Sequence, residues 1–167
     1  MEIISKSARD TLEIGRRISK RLRKGDIICL FGELGSGKTV LVKGIAKGLG
    51  IEKNNIVSPS FVLMRLYIQG RLPLYHFDLY RLKKTKDILA LGLEEYIYGD
   101  GITVIEWADR LKNSLPKEFL KINLSFKADS QRRISFTGVG AHYKQLLGKI
   151  NEPRTLFKVR DKEEGAG

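Results

Sequence analysis

Between residues 7 and 24, Leu12, Gly15, Ile18 and Leu22 fall on one helical face and arginines on the other, which predicts an amphipathic helix. Gly25-Asp26 ends it. The unbroken apolar run Ile27-Ile28-Cys29-Leu30-Phe31 then reads as a buried strand, and after eight glycine-rich positions residues 40–49 return to helical spacing, stopped at Gly48 and Gly50. Ile56-Val57 leads into Ser58-Pro59-Ser60. A hairpin is expected next, with arms 61–68 and 72–80 about a turn at Gln69-Gly70-Arg71. Residues 87–98 have helical spacing, with Asp87 as a first-turn acid. Residues 102–105 form a short buried strand running into Glu106-Trp107. Residues 120–126 and 133–137 alternate as a second hairpin, and 141–150 close the domain as a helix. These boundaries imply one domain over residues 1–150 and a charged, flexible tail over 151–167, in which Leu156, Phe157 and Val159 offer docking side chains.

A strand, a glycine-rich loop and a helix in succession predict an α/β fold, a single P-loop NTPase domain, with helices flanking a mixed parallel and antiparallel sheet. The antiparallel arm is unusual beside such a strand, where parallel crossovers are the rule. With 167 residues, 42% of them hydrophobic, the chain can bury a real core. No apolar stretch approaches the ~18 residues needed to span a bilayer. The opening MEIISKSARD lacks the apolar core of a signal peptide, and the lone Cys29 sits inside a core strand, so a reducing, cytoplasmic setting is expected. The formal net charge of +12 suits RNA or an RNA-bearing complex as partner, or a plain solvated surface.

The chemistry concentrates in Gly32 to Thr39, GELGSGKT, which fits G-x-x-x-x-G-K-[ST]. Gly32, Gly35 and Gly37 let successive N–H groups turn inward onto phosphate oxygens. The helix that follows adds positive potential at its N-terminus. Lys38 supplies a full charge for β- and γ-phosphates, and the Thr39 hydroxyl is placed to ligate Mg²⁺. Glu33, Leu34, Ser36 and Val40 complete the expected cradle.

Such a loop needs a carboxylate for Mg²⁺ and a group that positions water. Asp78 and Glu106 each end an apolar run, where open α/β sheets build their sites. We expect Asp78 to hold Mg²⁺ through its waters and Glu106 to orient or deprotonate the attacking water. His76 is either a γ-phosphate contact, an orienting group or a structural histidine. Trp107 either stacks on a base or partner or packs internally, and Arg81 either contacts phosphate or forms an ion pair. Ser58 or Ser60 could carry a metal- or phosphate-binding hydroxyl. No [NT]-K-x-D element reads guanine, which favours ATP.

These residues together resemble the TsaE (YjeE) ATPases of bacterial tRNA threonylcarbamoyladenosine biosynthesis. The resemblance rests on Thr11 and Gly15, Gly25-Asp26, GELGSGKT, SPSF (58–61), YHFDLYRL (75–82), LGLEEY (91–96), IEWADR (105–110) and Leu115-Pro116. It implies a weak ATPase that assists a TsaD-type subunit and its TsaB-type companion in modifying the adenosine beside the tRNA anticodon. Thr39, Asp78 and Glu106 then fall on the family's Mg²⁺ and catalytic positions, Lys38 on its phosphate position and Trp107 on its aromatic. The family's Ser-Pro-Thr reads Ser-Pro-Ser here, so a hydroxyl survives at Ser60 without the stiffening methyl. A small-molecule kinase and a nucleotide-switched RNA-binding module are the rival readings.

Overall fold

The computed structural model describes residues 1–52, 56–57 and 63–151. Ser58, Ser60 and Phe61, and the tail from residue 152, lie outside them. The strands are β1 (Glu2–Ser5), β2 (Ile27–Phe31), β3 (Met64–Tyr67), β4 (Leu74–Asp78), β5 (Ile102–Glu106), β6 (Phe119–Phe126) and β7 (Arg132–Val139). The helices are α1 (Ala8–Ser19), α2 (Lys38–Gly48), α3 (Thr85–Leu89), α4 (Leu93–Ile97) and α5 (Ala141–Ile150), with a 3-10 segment over Ala108–Ser114.

All seven strands join one sheet in the order β1-β7-β6-β2-β5-β4-β3. β2 is central, buried along most of its length, and pairs in parallel with β5 and β6. β4 also runs parallel to β5, whereas β3 and the β6–β7–β1 edge are antiparallel. The mixed sheet is therefore as expected. Alternation along β2 splits the interior in two. Ile28 and Leu30 face a core under α1, α2 and α5, and Ile27 and Cys29 face one under α3, α4 and the 3-10 segment.

α1 begins where Ser7 caps it: the Ser7 hydroxyl accepts from Asp10 N–H at 3.1 Å, and Asp10 Oδ2 accepts from Lys6 N–H at 3.0 Å. It ends at Ser19, five residues short of expectation, in a series of tight turns through Leu22 and Asp26. Its buried face is also rotated. Thr11, Ile14, Gly15, Ile18 and Ser19 are inside, and Leu12 is only half-buried. The polar members are satisfied there, Thr11 by Ser5 Oγ at 2.7 Å and Ser19 by the Arg16 carbonyl at 2.8 Å. Gly15 explains the rotation, because a side chain there would run into the Leu41 carbonyl of α2.

Three other boundaries differ. α2 starts two residues early, directly on the loop glycine. Residues 87–98 are not one helix: Gly92, at φ 65°, caps α4 in a conformation that breaks the run after α3. The first hairpin is shorter than its apolar pattern. β1 and the 3-10 segment were not expected at all.

Candidate functional site

β2 delivers the chain into residues 32–37 at the C-terminal edge of the sheet. Gly32, Gly35 and Gly37 all take positive φ (135°, 75° and 105°). At Gly32 a side chain would also strike the Leu124 carbonyl of β6. Gly37 caps α2 with no side-chain hydrogen bond, so the first N–H groups of an eleven-residue helix open onto the loop. The Ser36 hydroxyl is buried beneath it without a partner among the described residues.

Lys38 folds back. Its ammonium donates to the Gly32 carbonyl at 2.7 Å and the Glu33 carbonyl at 2.8 Å, and sits 4.0 Å above the centre of the Trp107 ring. Burial pushes its pKa below the usual lysine value, while the Glu106, Asp78 and Asp109 carboxylates oppose that shift.

Parallel pairing sets Asp78 of β4 beside Glu106 of β5, and both are buried at the strand ends. Glu106 accepts from the Thr39 hydroxyl at 3.1 and 3.0 Å through its two oxygens, and pairs with His76 Nε2 at 2.7 Å. His76 is completely buried, and its Nδ1 has no partner among the described residues. Because the contact is to Nε2, the proton on that nitrogen serves the carboxylate. Asp78 Oδ1 accepts from the Tyr80 N–H at 2.9 Å, which turns the chain just past the strand.

Trp107 follows Glu106 in the left-handed region, at φ 59° and ψ 42°, a costly conformation for so large a residue. It packs on Tyr80 with ring centres 4.9 Å apart. A cavity of about 490 Å³ opens between these groups, lined by Leu34, Gly35, Gly37, Lys38, Thr39, Val40, Asp78, Tyr80, Arg81, Glu106 and Trp107. Nearly every residue singled out in the sequence thus reaches one place. Glu33 instead points to solvent and gives only its carbonyl, and Ser36 lies under the loop rather than on the cavity wall. Arg81 is on the wall as well, which keeps the phosphate-contact alternative for it open.

Sequence reading missed Tyr80 and a second feature beside the loop. A side chain at Gly35 would meet the Phe126 ring at 3.8 Å, and the Arg132 guanidinium lies 4.3 Å from that ring. Phe126 and Arg132 are direct partners beside the β6–β7 turn, and what no local pattern announces is that this turn lies beside Gly35.

The family model for the threonylcarbamoyl adenosine biosynthesis protein TsaE matches residues 5–134. The chain is 43% identical to the tRNA threonylcarbamoyladenosine biosynthesis protein TsaE of Treponema pallidum over 81% of this chain and 98% of that one. It is 39% identical to the Bacillus subtilis protein of the same name, over 85% and 88%. The crystal structure of Bacillus subtilis YdiB superimposes with a TM-score of 0.81 at 36% identity, covering 92% of this chain and 95% of that one. The chain belongs to the TsaE family.

Proposed function

We propose that this protein is a P-loop ATPase that binds ATP with Mg²⁺ in the 490 Å³ cavity and supports threonylcarbamoyl modification of the tRNA adenosine beside the anticodon. The reading rests on one observation: Lys38, Thr39, Asp78 and Glu106, from a loop, a helix and two adjacent strands, converge on that cavity. The names of the relatives support that pathway, and a tRNA task suits a cytoplasmic protein.

The chain suits a polyphosphate. It offers an uncapped helix N-terminus, a buried Ser36 hydroxyl in want of a partner, and an ammonium spending its hydrogen bonds on loop carbonyls. Lys38 exchanges those carbonyls for phosphate oxygens at small cost, since both are oxygen acceptors. Phe126 with Arg132, beside Gly35, forms a flat apolar and cationic surface suited to the purine ring.

Thr39 and Glu106 would hold Mg²⁺, and when bound the ion neutralises charge building on the phosphate oxygens. The direct Thr39–Glu106 contact favours this over an outer position for Glu106. His76, donating from Nε2, keeps Glu106 oriented. Asp78 is then the carboxylate that orients water and accepts its proton. This exchanges the roles that strand-end position alone suggested.

Lys38 is the only full positive charge on the loop. Partners of TsaD and TsaB type, by supplying or ordering a further one, would accelerate a slow basal reaction. Rate gains of ~10³–10⁵ follow when an arginine is supplied to GTPases. Single-turnover hydrolysis by the protein alone, by the full assembly and by Arg81→Ala tests this. Slow hydrolysis alone and a large gain on assembly support the reading, and fast hydrolysis by the free protein that Arg81→Ala abolishes refutes partner activation.

A further inference from the structure

We propose that the end of the sheet opposite the glycine-rich loop is a direct binding surface for single-stranded RNA. A second cavity, of about 430 Å³, opens there between the α1–β2 connection, the end of α4, the entry to β6 and the start of α5. It shares no lining residue with the loop cavity. Cations outnumber acids where it meets solvent, with Arg23, Lys24 and Lys117 exposed on the wall against Glu118. Arg23 and Lys117 stand exposed on its wall with no ion pair among the described residues, and exposed Lys20 lies one turn upstream of Arg23. Two of the three acids nearby are engaged. Asp26 is buried, its two oxygens taken by the Arg23 N–H at 2.7 Å and by His142 Nε2 at 2.6 Å. Asp100 pairs with Lys24, and Glu118 lies against Gly140 at the N-terminus of α5.

The wall is also aromatic. Tyr98 is 80% exposed, the largest exposure among the described large hydrophobic side chains, and it packs on no other ring among the described residues. His142 is held edge-on to Tyr143 at 4.8 Å and fixed by Asp26, which presents an oriented ring beside the cations. A surface for an acidic protein needs the cations alone. Cations lining one cavity with an exposed ring and a fixed imidazole fit a sugar–phosphate backbone with unstacked bases, because every base offers a π-face to such a ring. Duplex RNA hides those faces, which selects the single strand. The surface lies away from the loop, so RNA and nucleotide are compatible on one molecule. The inference does not depend on the nucleotide reading.

The test is fluorescence anisotropy of the full chain with a labelled single-stranded RNA and with a hairpin duplex of the same length, over a range of salt. Three variants are compared: Arg23→Glu/Lys117→Glu, Tyr98→Ala, and Lys43→Glu/Lys47→Glu on α2 as a charge-matched control. Losing two phosphate contacts should reduce the log–log salt slope by about 1.4. Tyr98→Ala should weaken the single strand by roughly tenfold and the duplex hardly at all. The α2 control should change affinity by less than threefold. Melting temperatures identify a folding defect, and the exposed Tyr98 variant keeps the question decidable if the double reversal unfolds. Equal losses in the control, unchanged binding in Tyr98→Ala, or polyglutamate competing as well as RNA would overturn the proposal, the last in favour of an acidic protein partner.

Discussion

Replacing Glu106 by Gln removes a charge and keeps the shape. In the native protein the buried carboxylate serves two donors, Thr39 Oγ1 and His76 Nε2, and the amide leaves one acceptor oxygen for both. Hydrogen bonds to a charged group contribute about 1.5–3 kcal/mol and neutral ones about 0.5–1.5, so each contact loses about 1 kcal/mol. Relief of a buried charge offsets part of the ~2 kcal/mol total. At about 2–4 °C per kcal/mol for a chain of this size, the melting temperature should fall by no more than about 8 °C. Catalysis should suffer more. Losing a metal-holding carboxylate, or a positioned acid or base, costs roughly 10²–10⁴ in rate, about 3–5 kcal/mol of barrier. Single-turnover hydrolysis across a Mg²⁺ titration separates the roles. Glu106→Gln should require more Mg²⁺ for its half-maximal rate and leave metal-free nucleotide affinity unchanged. Asp78→Asn should lower the rate at saturating Mg²⁺ with the half-maximal concentration unmoved. A Glu106→Gln protein with native rate and native Mg²⁺ requirement would refute the reasoning and return Glu106 to a structural role.

Three further outcomes follow. Trp107 is the chain's single tryptophan and carries the Lys38 ammonium on its ring, so ATP with Mg²⁺ should change its emission, and Lys38→Met should shift the nucleotide-free emission in its place. Gly15→Ala forces a methyl into the Leu41 carbonyl across the α1–α2 contact and should cost about 1–3 kcal/mol in urea unfolding. The Arg16 guanidinium, with Arg17 behind it, holds the Glu13 carboxyl at about 2 instead of 4.5. A lowered carboxyl pKa stabilises the fold above pH 4.5, and that contribution disappears as pH falls towards 2. The pair is partly exposed, so Glu13→Gln should cost less than about 1 kcal/mol at pH 7, with the difference from native vanishing in acid melts.

The loop was legible because its chemistry is local: eight consecutive residues carry the turn-forming glycines, the lysine and the hydroxyl. Asp78 and Glu106 were legible for a related reason, since an acid ending an apolar run marks a strand end wherever the strand goes. Which of the two Thr39 and His76 reach was not, because that is a matter of strand register. The face of α1 was misread through Leu12, whose apolarity outweighed Thr11 and Ser19 until the Gly15 contact with α2 set the rotation. β1 escaped because its four residues are held by pairing with β7, some 130 positions away. Phe126 and Arg132 escaped because nothing in either strand alone places them beside Gly35.

Calorimetric titration of ATP with Mg²⁺ into the native protein and into Lys38→Ala tests the central claim most directly. The account predicts saturable binding at one site per chain, and at least a hundredfold loss when the loop's ammonium, and the charge-assisted hydrogen bonds it would make to phosphate, are removed. Native-like affinity in Lys38→Ala, or no binding by the native chain, would contradict it.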